Sequence, residues 1–100
     1  MSRDTNAKEE FINHIKGRNI ICAHIRYGKD QFLLKIDYTI DDYNQFLNNI
    51  DFMYNSGYGG QEVYGYIWYA NESWSERGEY DGSEWWEFQK RIEIPIELRL

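Results

Sequence analysis

The chain has 100 residues, of which 42% are hydrophobic and 18% aromatic, and its formal net charge is -6. This length predicts a single domain over residues 1–100 with a small core, and the aromatic content argues against disorder. The acidic balance disfavours direct binding to a nucleic-acid backbone, which requires clustered Lys and Arg.

The charge is unevenly distributed along the chain. Residues 1–40 contain seven Lys or Arg and five Asp or Glu, whereas residues 41–100 contain four and twelve. The second half therefore favours a basic partner, or a role in imitating a polyanion.

Cysteine use and hydropathy indicate the compartment. The one cysteine, Cys22, allows no internal disulfide, which fits a reducing environment. No apolar run approaches the length of a membrane span, and the first residues lack the apolar core of a signal peptide. We therefore expect a cytoplasmic protein with no membrane association.

Apolar periodicity and capping residues predict the elements of the first half. These are a helix over 6–16, strands over 20–27 and 31–38, and a helix over 39–50. Asn6 and Thr39 are suited to cap the two helices because their side-chain oxygens can accept free N–H groups of the first turn. Period-two alternation of β-branched and aromatic residues indicates that the strands form a hairpin.

The second half is predicted to form three more strands, over 61–70, 73–80 and 84–91. Turns at Asn71-Glu72 and Asp81-Gly82 join them, and the second is a favoured hairpin pair. The tail alternates but contains Pro95, so it is expected to be an edge strand or an extended arm.

The order of elements is roughly α-β-β-α-β-β-β. Strands joined by short turns predict an antiparallel sheet of about five strands, with two helices packed on one face. The expected fold class is therefore α+β.

Cofactor and metal motifs are incomplete. The glycine-rich segment around Gly59 and Gly60 has no following lysine or helix, so it is interpreted as a structural loop. His14, Cys22 and His24 are too few to hold a structural zinc. We expect neither a metal nor a cofactor.

Acidic residues are concentrated between residues 72 and 87, with Arg77 as the one basic residue among them. Two such carboxylates could serve a hydrolase, and Asp81 with Glu84 is the pair considered. Cys22 with His24 is a second conceivable catalytic pair, although no oxyanion-hole motif accompanies it. Because no base, nucleophile or metal set completes the acids, a solvated strand face is the preferred interpretation and an enzyme is not expected.

Aromatic residues exceed what one small core can hold. Trp85 and Trp86 are adjacent, so a strand would direct them to opposite faces. At least one of them is expected at an interface, where Trp and Tyr are the most frequent hot-spot residues.

Residues 56–86, which include Arg-Gly-Glu-Tyr-Asp-Gly-Ser-Glu-Trp-Trp and precede an Ile-Pro pair, resemble the second half of a family of small bacteriophage proteins. This resemblance implies a phage accessory protein and carries no active site with it. By analogy of size, charge and context, such proteins resemble inhibitors of host defence, including anti-CRISPR proteins and DNA mimics.

The leading hypothesis is a phage-encoded, non-enzymatic inhibitor in the host cytosol. It would bind a host defence or nucleic-acid-handling protein with a basic surface, and imitation of DNA is one mode that fits. The expected binding surface consists of Glu76, Glu79, Tyr80, Asp81, Glu84, Trp85, Trp86 and Glu87. The alternatives are the small hydrolase named above and a homo-oligomeric structural protein.

Overall fold

The computed structural model describes residues 4–57, 59–90 and 96–99. In chain order the elements are β1 (Asp4–Asn6), α1 (Ala7–His14), β2 (Ile20–Tyr27), β3 (Asp30–Leu34), α2 (Ile40–Asn49), β4 (Met53–Asn55), β5 (Val63–Tyr69), β6 (Trp74–Tyr80), β7 (Ser83–Gln89) and a 3-10 turn (Ile96–Leu98). The α+β class is confirmed. None of the described helices is long and apolar enough to cross a membrane.

Five strands form one antiparallel sheet in the order β3-β2-β5-β6-β7. The β6–β7 turn falls at the predicted pair, with φ of 51° at Asp81 and 86° at Gly82. Two consecutive residues with positive φ give the turn that matches the twist of a tight hairpin. Tyr80 therefore lies opposite Ser83, and this pairing sets the register of the whole hairpin.

Both predicted caps are formed. The Asn6 side chain accepts the N–H of Glu9 at 2.9 Å. Thr39 accepts the N–H of Asp42 at 3.1 Å, and Asp42 accepts the N–H of Thr39 at 3.0 Å, which completes a capping box. These bonds satisfy N–H groups that the helices leave free at their first turns.

Both helices pack on the same face of the sheet, as predicted. The Phe11 ring of α1 meets the Phe46 ring of α2 edge-on, with centroids 5.4 Å apart. Ile25 and Ile67 of the central strands lie in the same buried cluster. This side of the sheet is called the inner face below, and the opposite side the outer face.

The prediction missed a second, two-stranded sheet. β1 pairs antiparallel with β4, where a loop was expected. Strands of three residues are too short to show a period of two, so alternation could not reveal them. The tail over 92–100 was expected to be an edge strand or an extended arm, but Ile96–Leu98 forms a 3-10 turn. Residues 91–95 and 100 lie outside the described residues.

Gly65 allows the two central strands to approach closely. A Cβ atom at this position would stand 2.2 Å from the carbonyl oxygen of His24 on β2, and φ is +155°. No side chain can occupy that space without moving the backbone of β2 or β5.

Gly65→Ala is expected to lower the free energy of unfolding by about 2 kcal/mol or more, because it separates the two central strands. Gly60→Ala is the matched control, since a Cβ there meets nothing within 4 Å. Urea denaturation of both variants tests the expectation. Equal midpoints for the two variants would contradict it.

Candidate partner-binding surface

Aromatic side chains line the outer face of β5. Tyr64, Tyr66 and Trp68 alternate with buried residues and expose 40%, 44% and 40% of their surface. Because both described helices pack on the inner face, these rings lie on the side that the helices leave open. Most soluble monomers bury such rings, and contiguous exposed patches are typical of binding sites.

Neighbouring side chains hold these rings in fixed positions. Tyr66 and Trp68 stack with centroids 5.7 Å apart and an interplanar angle of 27°. The guanidinium of Arg26 lies 4.7 Å from the centre of the Tyr64 ring, and Trp74 lies opposite Trp68 on β6. A partner would therefore meet a surface that is already ordered, which lowers the entropic cost of binding.

Part of the predicted binding surface lies on the same outer face, on the hairpin formed by β6 and β7. Glu76 lies opposite Glu87, Gly78 opposite Trp85 and Tyr80 opposite Ser83, all on the outer face. We call the set of outward side chains the docking face. It consists of Tyr64, Tyr66, Trp68, Trp74, Glu76, Tyr80, Trp85 and Glu87.

Gly78 explains the position of Trp85. A Cβ at Gly78 would stand 2.9 Å from the indole nitrogen of Trp85. The indole thus extends over the bare backbone of β6 and remains 37% exposed. Glu79 and Asp81 lie exposed at the hairpin turn, and neither belongs to the docking face.

The prediction that Glu84 belongs to the binding surface is wrong. Glu84 exposes 5% of its surface and points to the inner face. Its carboxylate accepts the backbone N–H groups of Glu62 at 2.7 Å and Val63 at 2.9 Å. It also accepts a bond from Arg77 at 2.9 Å, so its charge is already paired.

Trp86 is likewise not available to a partner. It exposes 8% of its surface and packs edge-on against Phe11 of α1, at a centroid distance of 6.4 Å. The expectation that Trp85 and Trp86 point to opposite faces is confirmed, and Trp85 is the one that reaches solvent.

Arg77 is the centre of a buried ionic network. Its side chain is 1% exposed and donates to Glu10 at 2.9 Å, to Glu84 at 2.9 Å and to the Tyr54 hydroxyl at 2.8 Å. Burial alone would lower the pKa of Arg77, but Glu10 and Tyr54 outweigh it and raise the pKa above its ordinary value. A single basic residue among many acids was the sequence signal for this network, but its partners could not be identified from spacing.

A second buried group resembles a nucleophile and its base. The Nε2 atom of His14 and the Oγ atom of Ser75 lie 2.7 Å apart, and the Tyr69 hydroxyl lies 2.7 Å from the same Oγ atom. Ser75 is completely buried, however, and the His14 ring stacks on Phe88 at 3.9 Å. Ser75 is thus enclosed, and its contact with His14 joins α1 to the sheet.

The residues considered for catalysis lie in different environments. Glu84 is engaged by Arg77 and two backbone N–H groups, whereas Asp81 lies exposed in the turn. Burial raises the pKa of Cys22, which is opposite to the shift that activates a thiol. The Nε2 atom of His24 lies 3.0 Å from the Gln31 side-chain oxygen. Across the part of the chain that the structure describes, no group of three or more His, Cys, Asp or Glu residues is placed to hold a metal.

A cleft of about 400 Å³ opens on the outer face. It lies where β5 and β6 separate, since the two strands pair only from Tyr66 to Trp68. Its lining combines the rings of Tyr64 and Tyr66 with the polar groups of Arg26 and Glu76.

Comparison of the chain with family models, with curated proteins and with solved structures gave no match.

Glu84→Gln is expected to lower the free energy of unfolding by about 2 to 3 kcal/mol, because it leaves buried Arg77 without one of its two counter-charges. The matched control is Glu87→Gln, which removes an exposed carboxylate from the same strand. Chemical denaturation of the two variants measures the difference. Similar losses of unfolding free energy in both variants would show that the buried ion pair does not contribute to stability as described.

Acid is expected to destabilise the fold through His14. Burial, with smaller contributions from Arg18 and Arg77, lowers the pKa of His14 from 6.5 to about 4. Between these pH values the unfolded chain binds a proton that the folded chain does not, so the free energy of unfolding falls as the pH decreases from 6.5 towards 4.

The comparison that isolates this effect uses His14→Gln, which cannot titrate. Denaturation midpoints measured at several pH values should fall less steeply for the variant than for the unmodified protein. All other titrating groups are common to both proteins. Parallel curves would exclude His14 as the cause.

Proposed function

We propose that the chain is a non-enzymatic inhibitor, encoded by a phage, that binds a host protein through the docking face. The observation that carries this proposal is the row of exposed rings at Tyr64, Tyr66 and Trp68 on the open side of the sheet. Rigid aromatic rings contribute a large contact area at low entropic cost, and they dominate the energetics of protein interfaces.

Charge supports a basic protein as the partner. Glu76 and Glu87 lie opposite one another on the docking face, and Glu79 and Asp81 extend the acidic character to the turn. Such carboxylates attract Lys and Arg that ordinarily hold nucleic acid, and they accelerate association. They repel a phosphate backbone, which argues against stacked single-stranded bases as the ligand of the same rings.

The geometry supports aromatic docking more than imitation of DNA. A DNA mimic needs unpaired carboxylates at phosphate-like positions, and Glu84 is removed from that set by its contact with Arg77. Trp85 and the cleft beside Tyr66 instead offer a ring and a recess that a partner can engage. The resemblance of residues 56–86 to phage proteins supports the phage origin, and with it a role in the host cytosol.

The double variant Tyr66→Ala/Trp85→Ala is expected to reduce the affinity for the partner at least about tenfold, because it removes two exposed rings from the centre of the interface. The partner is first isolated from a lysate of the bacterial host with the unmodified protein, identified and purified. Its affinity for each variant and its inhibition are then measured. Met53→Ala, which removes an exposed apolar side chain from β4, is the matched control.

Three outcomes would contradict the proposal. One is unchanged affinity in the double variant with an intact fold. Another is turnover of nucleotides or oligonucleotides by the purified chain, which would indicate the hydrolase. The third is a solution mass of a multimer whose docking face is buried between copies, which would indicate the structural protein.

A further inference from the structure

β7 lies at the end of the sheet, and on one side its backbone groups point away from β6. In the β6–β7 hairpin the hydrogen-bonded pairs begin at Tyr80 and Ser83 and recur at every second residue. The backbone N–H and C=O groups of Glu84, Trp86 and Phe88 therefore point away from β6. The N–H of Glu84 confirms this direction, since it donates to the carbonyl of Ser56 at 2.9 Å. Among the strands that the structure describes, only β6 pairs with β7.

A groove of about 610 Å³ runs beside this edge. One wall is formed by β1 and α1, through Asp4, Glu9 and Asn13, and the other by Trp85 and Trp86. A strand edge that faces a helix across a groove is the arrangement by which several domains accept an extended peptide as an additional strand.

The groove is acidic. Asp4 and Glu9 are exposed on its wall, and Glu10 lies deeper, bound to Arg77. No Lys or Arg is found among the described residues that line it. The nearby Lys8 is paired with Asp51 at 3.3 Å.

We propose that this groove binds an extended basic segment of another protein, which adds to β7 as a sixth strand. Its backbone would pair with Trp86 and Phe88. Because side chains alternate along a strand, one set would face Asp4 and Glu9 while the other would pack beside Trp85. The recognised pattern is therefore Lys or Arg alternating with apolar residues. The inference does not rest on the proposed inhibition, because Asp4 and Glu9 lie outside the docking face and only Trp85 belongs to both surfaces.

The test uses the full chain and an acetylated Arg-Val-Arg-Val-Arg-Val peptide. Binding is measured by calorimetry at low salt, and the contacted residues are located from backbone amide shifts. We expect saturable binding with shifts at Trp86 and Phe88 and slower hydrogen exchange at both. The same peptide with N-methyl groups at alternate positions should not bind, because it cannot complete the strand pairing.

Two charge-neutralising variants distinguish binding in the groove from general electrostatic attraction between the peptide and the acidic chain. Asp4→Asn/Glu9→Gln should weaken binding about three- to tenfold, as expected for two exposed ion pairs. Glu79→Gln/Asp81→Asn makes the same change in net charge near the hairpin turn and should leave binding within about twofold. Circular dichroism establishes that both variants are folded.

Four results would overturn the inference. They are absence of binding, equal binding of the N-methylated peptide, equal weakening by the two variants, and amide shifts confined to the docking face. If the unmodified chain binds the peptide but retains no host protein from the lysate, the result counts against the proposed function alone. If the chain retains a host protein but does not bind the peptide, the result counts against the groove alone.

Discussion

The contact between Arg77 and Glu84 is the interaction on which the rest of the structure depends. Arg77 also reaches Glu10 on α1 and Tyr54 on β4, while Glu84 accepts the N–H groups that begin β5. One buried ion pair thus joins both sheets and a helix. Removing either partner would leave a charge in the core, which costs much more than the intact pair contributes. The network therefore specifies the arrangement of these elements.

This network also determines which side chains of the β6–β7 hairpin reach the outer face. Once Glu84 and Trp86 face inwards, the hairpin presents Glu76, Trp85 and Glu87 on its opposite side. The helices supply the inner face with enough apolar surface to close the core, so the rings of β5 stay exposed. The small core and the exposed aromatic rings thus have the same cause, which is that the helices cover only the inner face of the sheet.

The acidic side chains have different roles in different parts of the structure. Glu84 is paired with Arg77 inside the protein, Asp42 completes the capping box of α2, and Glu9 lies exposed on the first turn of α1. Net charge therefore gives only the sum of the acids, whereas the contacts of each acid decide which carboxylates remain unpaired at the surface.

Local patterns in the sequence determined the helices, the hairpins and the α+β class, because caps, turns and periodicity act between residues a few positions apart. The capping box at Thr39 and the turn at Asp81-Gly82 were predicted for this reason. The sequence did not predict which side of β6 faces the core, since both of its sides carry polar residues. Tertiary structure decided it through Glu10, which lies 67 positions from Arg77 and meets it only in the fold. Separation in sequence, rather than weakness of the interaction, hid the partners of Arg77.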